Sequence, residues 1–313
     1  MTPIHLSDDA LARLGITPPE LAAAIEAALA EKRDGRLLTS PKSALMPGDG
    51  RYMMATLAVG PELIVVKQVS VCPGNKARDL PDTNGAIMVL DAQTGLLRAV
   101  MGANWITAVR TAALSDVAAS RLADPESRVI GFAGTGTQAQ SHLSAFADRF
   151  PLRHAKIFGR GRPNIDALIA SCEARGMTAE VVDTGDAALD EADIVVTSLT
   201  LNYDIAPFLD ARRLQPGAFA AITDLAIPWL DDHMSAFSTI VVDDIEQERA
   251  APKPMVAPEL IAGNLADLAA GGIAPAAGAR AFVFRGIALG DYAAAGLALS
   301  RAAAQNAGTA IGD

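Results

Sequence analysis

Val129-Ile-Gly-Phe-Ala-Gly-Thr-Gly-Thr-Gln-Ala139, running on into Gln140-Ser-His-Leu-Ser-Ala-Phe146, decides how the rest of the chain is read. Its first residues are apolar or glycine, as in a buried parallel strand, and the residues after the glycines take up a helical period. Gly134-Thr-Gly136-Thr137-Gln138-Ala139 is thus the G-x-G-x-x-A form of a strand-to-helix turn that cradles the pyrophosphate of a dinucleotide. Gly134 permits the tight turn, Gly136 lets the backbone approach the pyrophosphate, and Ala139 lets helix and strand pack closely. Amides at the helix start face the anion, and the positive end of the helix dipole favours it. Similar turns occur in α/β proteins that bind no nucleotide, so the weight comes from the strand before it and the repeating β/α units after it.

Those units lie at 155–158, 178–182, 193–197, 218–222 and 239–243, apolar strand-like runs alternating with helical stretches, which predicts a doubly wound parallel sheet. Residues 263–280 read as irregular connection, 281–284 as a last short strand and 288–304 as a long helix. The part before residue 124 has a different grain. A capping box, Thr17-Pro18-Pro19-Glu20, predicts a helix from Pro18 with Leu21, Ile25, Ala28 and Leu29 as its apolar stripe. Strand-like runs at 52–59, 63–70, 85–91 and 97–101 follow, the last two joined by the turn Asp91-Ala-Gln-Thr-Gly95, and then a helix at 107–123. The fold class expected is α/β: a Rossmann-type parallel sheet plus a second, mostly antiparallel α+β part.

The 313 residues suffice for two domains, and half are hydrophobic. A net charge of −10 argues against a nucleic-acid partner. Cys72 and Cys172 form no C-x-x-C pair, and His5, His142, His154 and His233 share no ligand spacing, so neither a disulfide framework nor a metal is expected. The N-terminus lacks a signal-peptide pattern and no run of eighteen apolar residues occurs; a soluble, cytoplasmic protein without a membrane partner is the expectation.

Several polar residues could carry chemistry. Lys67 sits mid-strand among Leu63, Ile64, Val65, Val66 and Val69, either on the solvent face of a one-sided sheet or there for a reason. Arg110, beside Thr107 and Thr111, could lie on the surface, pair with an internal aspartate or take a substrate carboxylate on its planar fork of donors. Lys42 and Arg51 are further cations in the same part, each by itself readable as a surface charge. Asp224, at the end of an apolar strand, is either an N-cap or a desolvated carboxyl with a raised pKa, suited to exchanging protons. Thr197-Ser198-Leu199 and Thr223-Asp224 fall at strand ends, where a nicotinamide and a substrate belong. The run Leu225 to Leu230 is expected to give the substrate pocket an apolar wall. The second Rossmann strand ends in Phe158-Gly159-Arg160-Gly161-Arg162, without the acid that NAD enzymes set against the ribose, so Arg160 and Arg162 favour NADP, with NAD as the alternative.

Taken together, Lys67, Thr83-Asn84-Gly85 leading to Leu90-Asp-Ala-Gln-Thr-Gly95, Asn104-x-x-Thr-x-x-Arg110-Thr-Ala-Ala113, Gly134-Thr-Gly-Thr-Gln-Ala139 and Gly286-Ile-Ala-Leu-Gly-Asp291 resemble the ornithine cyclodeaminase/μ-crystallin family over nearly the whole chain. The resemblance implies a homodimer and a division into 1–114 with 288–313, the substrate-binding and dimerisation domain, and 115–287, the dinucleotide-binding domain. It implies that Lys67 and Arg110 hold and polarise the substrate's carboxylate and nitrogen, that Asp224 is the acid/base, that Thr83 neighbours the nicotinamide, and that Asp291 sits near the cofactor or ties the C-terminal helix to the site. Two departures matter. Many relatives carry Pro-x-Arg or Pro-Arg where this chain has Pro41-Lys42, which keeps the charge and loses the bidentate fork; relatives of the alanine dehydrogenase type use lysine there, with a nearby arginine that Arg51 matches. Ornithine cyclodeaminases follow the aspartate with a Pro-Gly-Lys-Thr-Glu-like run and place an acid on the second strand; Leu225-Ala-Ile-Pro-Trp-Leu230 and the arginines differ on both counts.

The function expected is therefore an NAD(P)-dependent oxidoreductase acting on the Cα–N bond of a small amino or imino acid. The alternative is a cyclodeaminase-type ammonia lyase with catalytic NAD, and the third reading is a non-catalytic, cofactor-dependent binding protein.

Overall fold

The computed structural model describes residues 2–201 and 204–312, divided into two compact units, Met1–Arg110 with Ile287–Asp313, and Thr111–Gly286. In the first unit, strands β1 (Ile4–Leu6), β2 (Leu38–Thr39), β3 (Ser43–Leu45), β4 (Tyr52–Val59), β5 (Leu63–Val71), β6 (Thr83–Asp91) and β7 (Leu97–Gly102) form one sheet with the C-terminal pair Thr309–Ala310. Its order is Thr309–Ala310, β1, β7, β6, β5, β4, β2, with β3 also on β4; every pairing is antiparallel except β1 on β7. Strands of two or three residues carry no readable period, which is why β1 to β3 and the C-terminal pair escaped the sequence reading.

The helix Pro18–Arg33 begins at the expected capping box, with the Thr17 amide donating to Glu20 at 2.9 Å. It packs against the C-terminal helix Ala288–Gln305, which also lies on β4 and β5. Alternation along the strands turns Val65, Lys67, Val69, Thr56, Ala58, Ile87 and Val89 to the covered face, while Leu57 and Met88 stay exposed on the other. Lys67 is therefore not on a solvent face.

The second unit holds strands β8 (Val129–Ala133), β9 (His154–Phe158), β10 (Thr178–Val181), β11 (Ile194–Thr197), β12 (Phe219–Ile222), β13 (Thr239–Val242), β14 (Ile261–Asn264) and β15 (Arg280–Val283). All pairings are parallel, in the order β10-β9-β8-β11-β12-β15-β13-β14. From β8 the chain winds outward to β9 and β10, then returns to β11 on the other side, so the carboxyl ends of β8 and β11 mark the switch point where such sheets bind ligands. The stretch expected to be irregular, 263–280, is partly regular: it takes in the end of β14 and the helix Leu265–Ala269, opened by an Asn264/Asp267 capping box. Both elements are too short, and too rich in alanine and glycine, to show a period. The helix expected at 107–123 starts earlier, at Ala103, and runs to Leu122, so Arg110 and Thr111 lie within it, where the chain passes from the first unit to the second. Among the described residues no helix is long and apolar enough to cross a membrane, and no cluster of His, Cys, Asp or Glu could hold a metal ion.

Candidate active site

Antiparallel register assembles the first group. Lys67 on β5 lies opposite Thr56 on β4 and Ile87 on β6. Lys42 comes one residue before β3, whose first residue Ser43 pairs with Ala55 next to Thr56, and its charge is felt at Lys67. Asp291, in the first turn of the C-terminal helix, meets this row: its Oδ1 is 2.6 Å from Lys67 Nζ and 3.1 Å from Arg110 Nε, and its Oδ2 accepts from Thr56 Oγ1 at 3.1 Å. All are buried, Lys67 at 3% exposure, Arg110 at 6% and Asp291 at 1%. Burial alone would raise the Asp291 pKa, but the charges of Lys67 and Arg110 and the hydrogen bonds from Lys67 and Thr56 hold it below the usual carboxylate range. Burial, aided by the charges of Arg110 and Lys42, outweighs Asp291 and brings the Lys67 ammonium down to about 8.

Two buried cations share one carboxylate, and a third cation, Lys42, is close enough to be felt. A planar guanidinium in such surroundings is well shaped to receive a substrate carboxylate. Arg51 lies outside the group: its guanidinium is held by Asp49 at 2.7 Å, half exposed, in the loop before β4. Asp291 does tie the C-terminal helix to the cations, and with its carboxylate taken up by Lys67, Arg110 and Thr56 it is poorly placed as a cofactor ligand. Thr83, opposite Val71 at the start of β6, is exposed on the Lys67 face of the sheet.

In the second unit the two motif glycines differ. Gly134 has φ +105°, and a Cβ there would sit 2.7 Å from the Ser198 carbonyl oxygen; its amide donates to Phe158 O at 2.9 Å. The fold itself demands glycine at this position. Gly136 has φ −80°, and a Cβ on it would meet nothing within 4 Å. Packing does not require this glycine, whereas close approach of a phosphate does, and as N-cap it brings no side-chain acceptor to the first turn of the helix Thr137–Arg149. Ala139 is wholly buried, as its packing role needs. The residues present therefore fit a dinucleotide. At the end of β9, a Cβ on Gly159 would lie 2.7 Å from Thr135. Arg160 is exposed and unpaired among the described residues, while Arg162, first in the helix Arg162–Glu173, pairs with Asp166 at 2.8 Å.

Asp224 follows β12. It caps the turn that follows, its carbonyl accepting from the Ile227 amide at 3.2 Å and its carboxyl from the Ala226 amide, and it is at the same time a desolvated carboxyl that accepts from Thr197 Oγ1 at 3.0 Å and from the Leu199 amide at 3.1 Å. At 1% exposure, burial raises its pKa to about 7 against those hydrogen bonds. The next two residues, Leu225 and Ala226, have φ of +58° and +57°, a left-handed step that non-glycine residues enter at a cost. Trp229 does not form a pocket wall: it is fully buried, and its indole donates to Thr197 Oγ1 at 3.2 Å, fixing the hydroxyl that donates to Asp224. Thr111 is buried, as is the Ser198 hydroxyl, which has no hydrogen-bond partner among the described residues. Sequence reasoning missed Thr56 and gave Trp229 a pocket role it does not have; for Thr56, a threonine alternating with buried residues directly across from a mid-strand lysine was the one available signal.

His142 stays structural. Its Nδ1 lies 2.8 Å from the Gln138 carbonyl and must carry the proton, so Nε2 accepts from Ser115 Oγ at 2.9 Å; burial lowers its pKa to about 4.

A doubly wound parallel sheet with a phosphate-type glycine turn at its switch point, in one chain with a buried pair of cations on a shared carboxylate, defines a dinucleotide-dependent enzyme acting on a carboxylate-bearing substrate. The chain belongs to the ornithine cyclodeaminase/mu-crystallin family, whose model matches residues 10–306. It is 31% identical to a Delta(1)-pyrroline-2-carboxylate/Delta(1)-piperideine-2-carboxylate reductase of Azospirillum brasilense, covering 98% of this chain and 99% of that one. Among solved structures it matches an archaeal alanine dehydrogenase dimer with bound NAD, at 26% identity and a TM-score of 0.88 over 100% of this chain and 99% of that one. The Thermococcus litoralis Delta(1)-pyrroline-2-carboxylate reductase in complex with NADH and L-proline shares the fold at a TM-score of 0.88, with 22% identity, covering 98% and 100% of the two chains.

Proposed function

We propose that this enzyme is an NAD(P)H-dependent reductase of small 2-imino acids, able to run in reverse as an amino-acid dehydrogenase. The observation that carries the reading is the pair of buried cations, Lys67 and Arg110, set on Asp291 with the charge of Lys42 felt beside them, an arrangement suited to a substrate carboxylate. Held there, the carboxylate is fixed, and the neighbouring positive charge makes the imine carbon more electron-poor. A bound reduced nicotinamide supplies the hydride. Asp224, half protonated near neutral pH, gives the imine nitrogen its proton directly or through a water. Thr83, Thr111, Gly134, Gly136, Thr137, Gln138, Ala139, Gly159, Thr197, Ser198 and Leu199 are the cofactor contacts of this reading. Arg160, exposed and uncommitted at the end of β9, favours the extra phosphate of NADP over NAD, with Arg162 drawn away by Asp166.

A homodimer belongs to the same reading. Leu57, Val66, Met88 and Val100 form one cross-strand row on the outer face of the first sheet, and a second copy covering this apolar face accounts for it. The match to an alanine dehydrogenase dimer supports this.

The test is reduced-nicotinamide absorbance with cyclic and linear imino acids, NADPH and NADH in parallel, and ammonia assayed with a diamino acid. Steady NADPH consumption is expected. Ammonia release without net loss of nicotinamide would replace the reading with a cyclodeaminase, and cofactor binding without turnover of any substrate would favour a binding protein.

A further inference from the structure

The turn after β12 closes on itself. Leu225 and Ala226 take their left-handed step, the Ile227 amide donates to Asp224 O at 3.2 Å and the Trp229 amide to Ala226 O at 3.0 Å, so the chain leaving Asp224 brings the Trp229 indole back to Thr197. A short parallel bridge holds it there: Leu209 pairs with Trp229, the Phe208 and Leu209 amides donate to Pro228 O at 2.8 and 2.9 Å, and the Leu230 amide donates to Leu209 O at 3.0 Å. The indole is wholly buried and packs on the Phe237 ring with centroids 5.5 Å apart. Its N–H is thereby aimed at Thr197 Oγ1.

A threonine hydroxyl has one hydrogen and can accept as well as donate. With the indole N–H donating into it, Thr197 Oγ1 already has its donor, and its own hydrogen goes to Asp224 Oδ1 at 3.0 Å. The sense of that bond matters to a carboxyl that has to take and give a proton. A hydroxyl that donates stabilises the carboxylate; one that turns round to accept stabilises the acid and ties up its proton. The amides of Leu199, Ala226 and Asp224 itself, which also reach this carboxyl, can only donate, and none is charged. Among these contacts, only the one from Thr197 can reverse.

We propose that Trp229 is a positioning residue for Asp224: its indole N–H locks the Thr197 hydroxyl in the donating sense, so the proton of the Asp224 carboxyl is not drawn onto Thr197 and stays free for exchange. This rests on the acid role given to Asp224 above, and Trp229 acts only through Thr197.

Trp229→Phe keeps a ring against Phe237 and removes the N–H. Infrared difference spectra of the purified protein from about pH 5 to 9, with the carboxylic-acid band assigned by its loss in Asp224→Asn, read the titration of Asp224 without turnover. The net worth of one hydrogen bond is about 3- to 10-fold in an equilibrium, so Trp229→Phe should move the midpoint up by about 0.5 to 1 on the pH scale. Thr197→Val should move it up too, and Thr197→Ser should leave it in place. Trp229→Phe added to Thr197→Val should move it no further, since the hydroxyl through which Trp229 acts is gone. In the unsubstituted protein the Trp229 indole N–H resonance, told from that of Trp105 by Trp105→Phe, should titrate with the Asp224 midpoint. A midpoint unmoved by Trp229→Phe, the same shift in the Thr197→Val background, or an indole resonance flat across the range would overturn the proposal. The kcat–pH profile is read separately: a midpoint that moves as expected with no matching move in kcat would sink the acid role of Asp224 and leave the positioning standing.

Discussion

Replacing Asp291 by asparagine removes the anion that two buried cations share, with Lys67 and Arg110 side chains 4% and 7% exposed. Breaking a buried ion pair by removing one partner costs about 3–5 kcal/mol, because the surviving charge stays desolvated. The amide oxygen introduced by Asp291→Asn can still accept from Thr56 or one cation, which sets the expectation toward the lower end at pH 6. Lys67 then provides an escape. Its pKa is already about 8 with Asp291 present, and without that attraction it falls further below the ordinary lysine value. A lysine whose folded pKa is depressed costs stability where it must be charged, and the cost fades as pH rises through that pKa. Between pH 6 and 7, then, the wild type keeps its ammonium, and as the variant's lysine loses its proton ahead of the wild type's the penalty should shrink, by at most about 1.4 kcal/mol for each pH unit over which the two differ. Urea unfolding followed by circular dichroism at pH 6, 7 and 8 measures this. A penalty below about 1 kcal/mol, or one flat across the series, would refute the account of the cluster.

Other outcomes follow from the same geometry. Gly136→Ala should leave the melting temperature unchanged and weaken NADPH binding at least tenfold, whereas Gly134→Ala, with φ +105° and a carbonyl 2.7 Å from its Cβ, should lower the melting temperature as well; equal melting losses would contradict the division of roles. Asp224→Asn should reduce kcat by about 10²- to 10⁴-fold and abolish the fall in rate as pH rises through about 7, which a kcat–pH profile reads. Its stability effect has a definite sign: a carboxyl with a raised folded pKa stabilises below pH 3.8 and loses that contribution by about pH 7, so wild type minus variant should decline across that window. Thr56→Val, losing one hydrogen bond to a charged group, should cost about 1.5–3 kcal/mol in urea unfolding, with Thr56→Ser restoring most of it.

Much of this was legible in the sequence because periodicity and turn chemistry are local. The glycine turn, the alternating strands behind it and the capping box at Thr17 each announce themselves within a few residues. Lys67 stood out by breaking an apolar strand, yet its burial depends on which face the C-terminal helix covers, more than two hundred residues away. The partnership of Asp291 with Lys67, Arg110 and Thr56 is likewise a product of register and helix placement. Trp229 looked like a pocket residue because apolar runs after strands commonly line pockets; its indole N–H found a partner inside, where a buried tryptophan needs one.

The insertion of β15 between β12 and β13 carries a consequence for the nascent chain. The parallel sheet cannot close until residues 280–283 have left the ribosome, since their places between two earlier strands must be filled by the last one made. Asp291 emerges only after that. Lys67 and Arg110, synthesised much earlier, wait for the carboxylate of Asp291 until the final helix arrives, so the first unit too is completed only at the end of synthesis. Late closure of this kind keeps sheet edges open through most of synthesis, a period of exposure to wrong pairings that the final thirty-odd residues bring to an end.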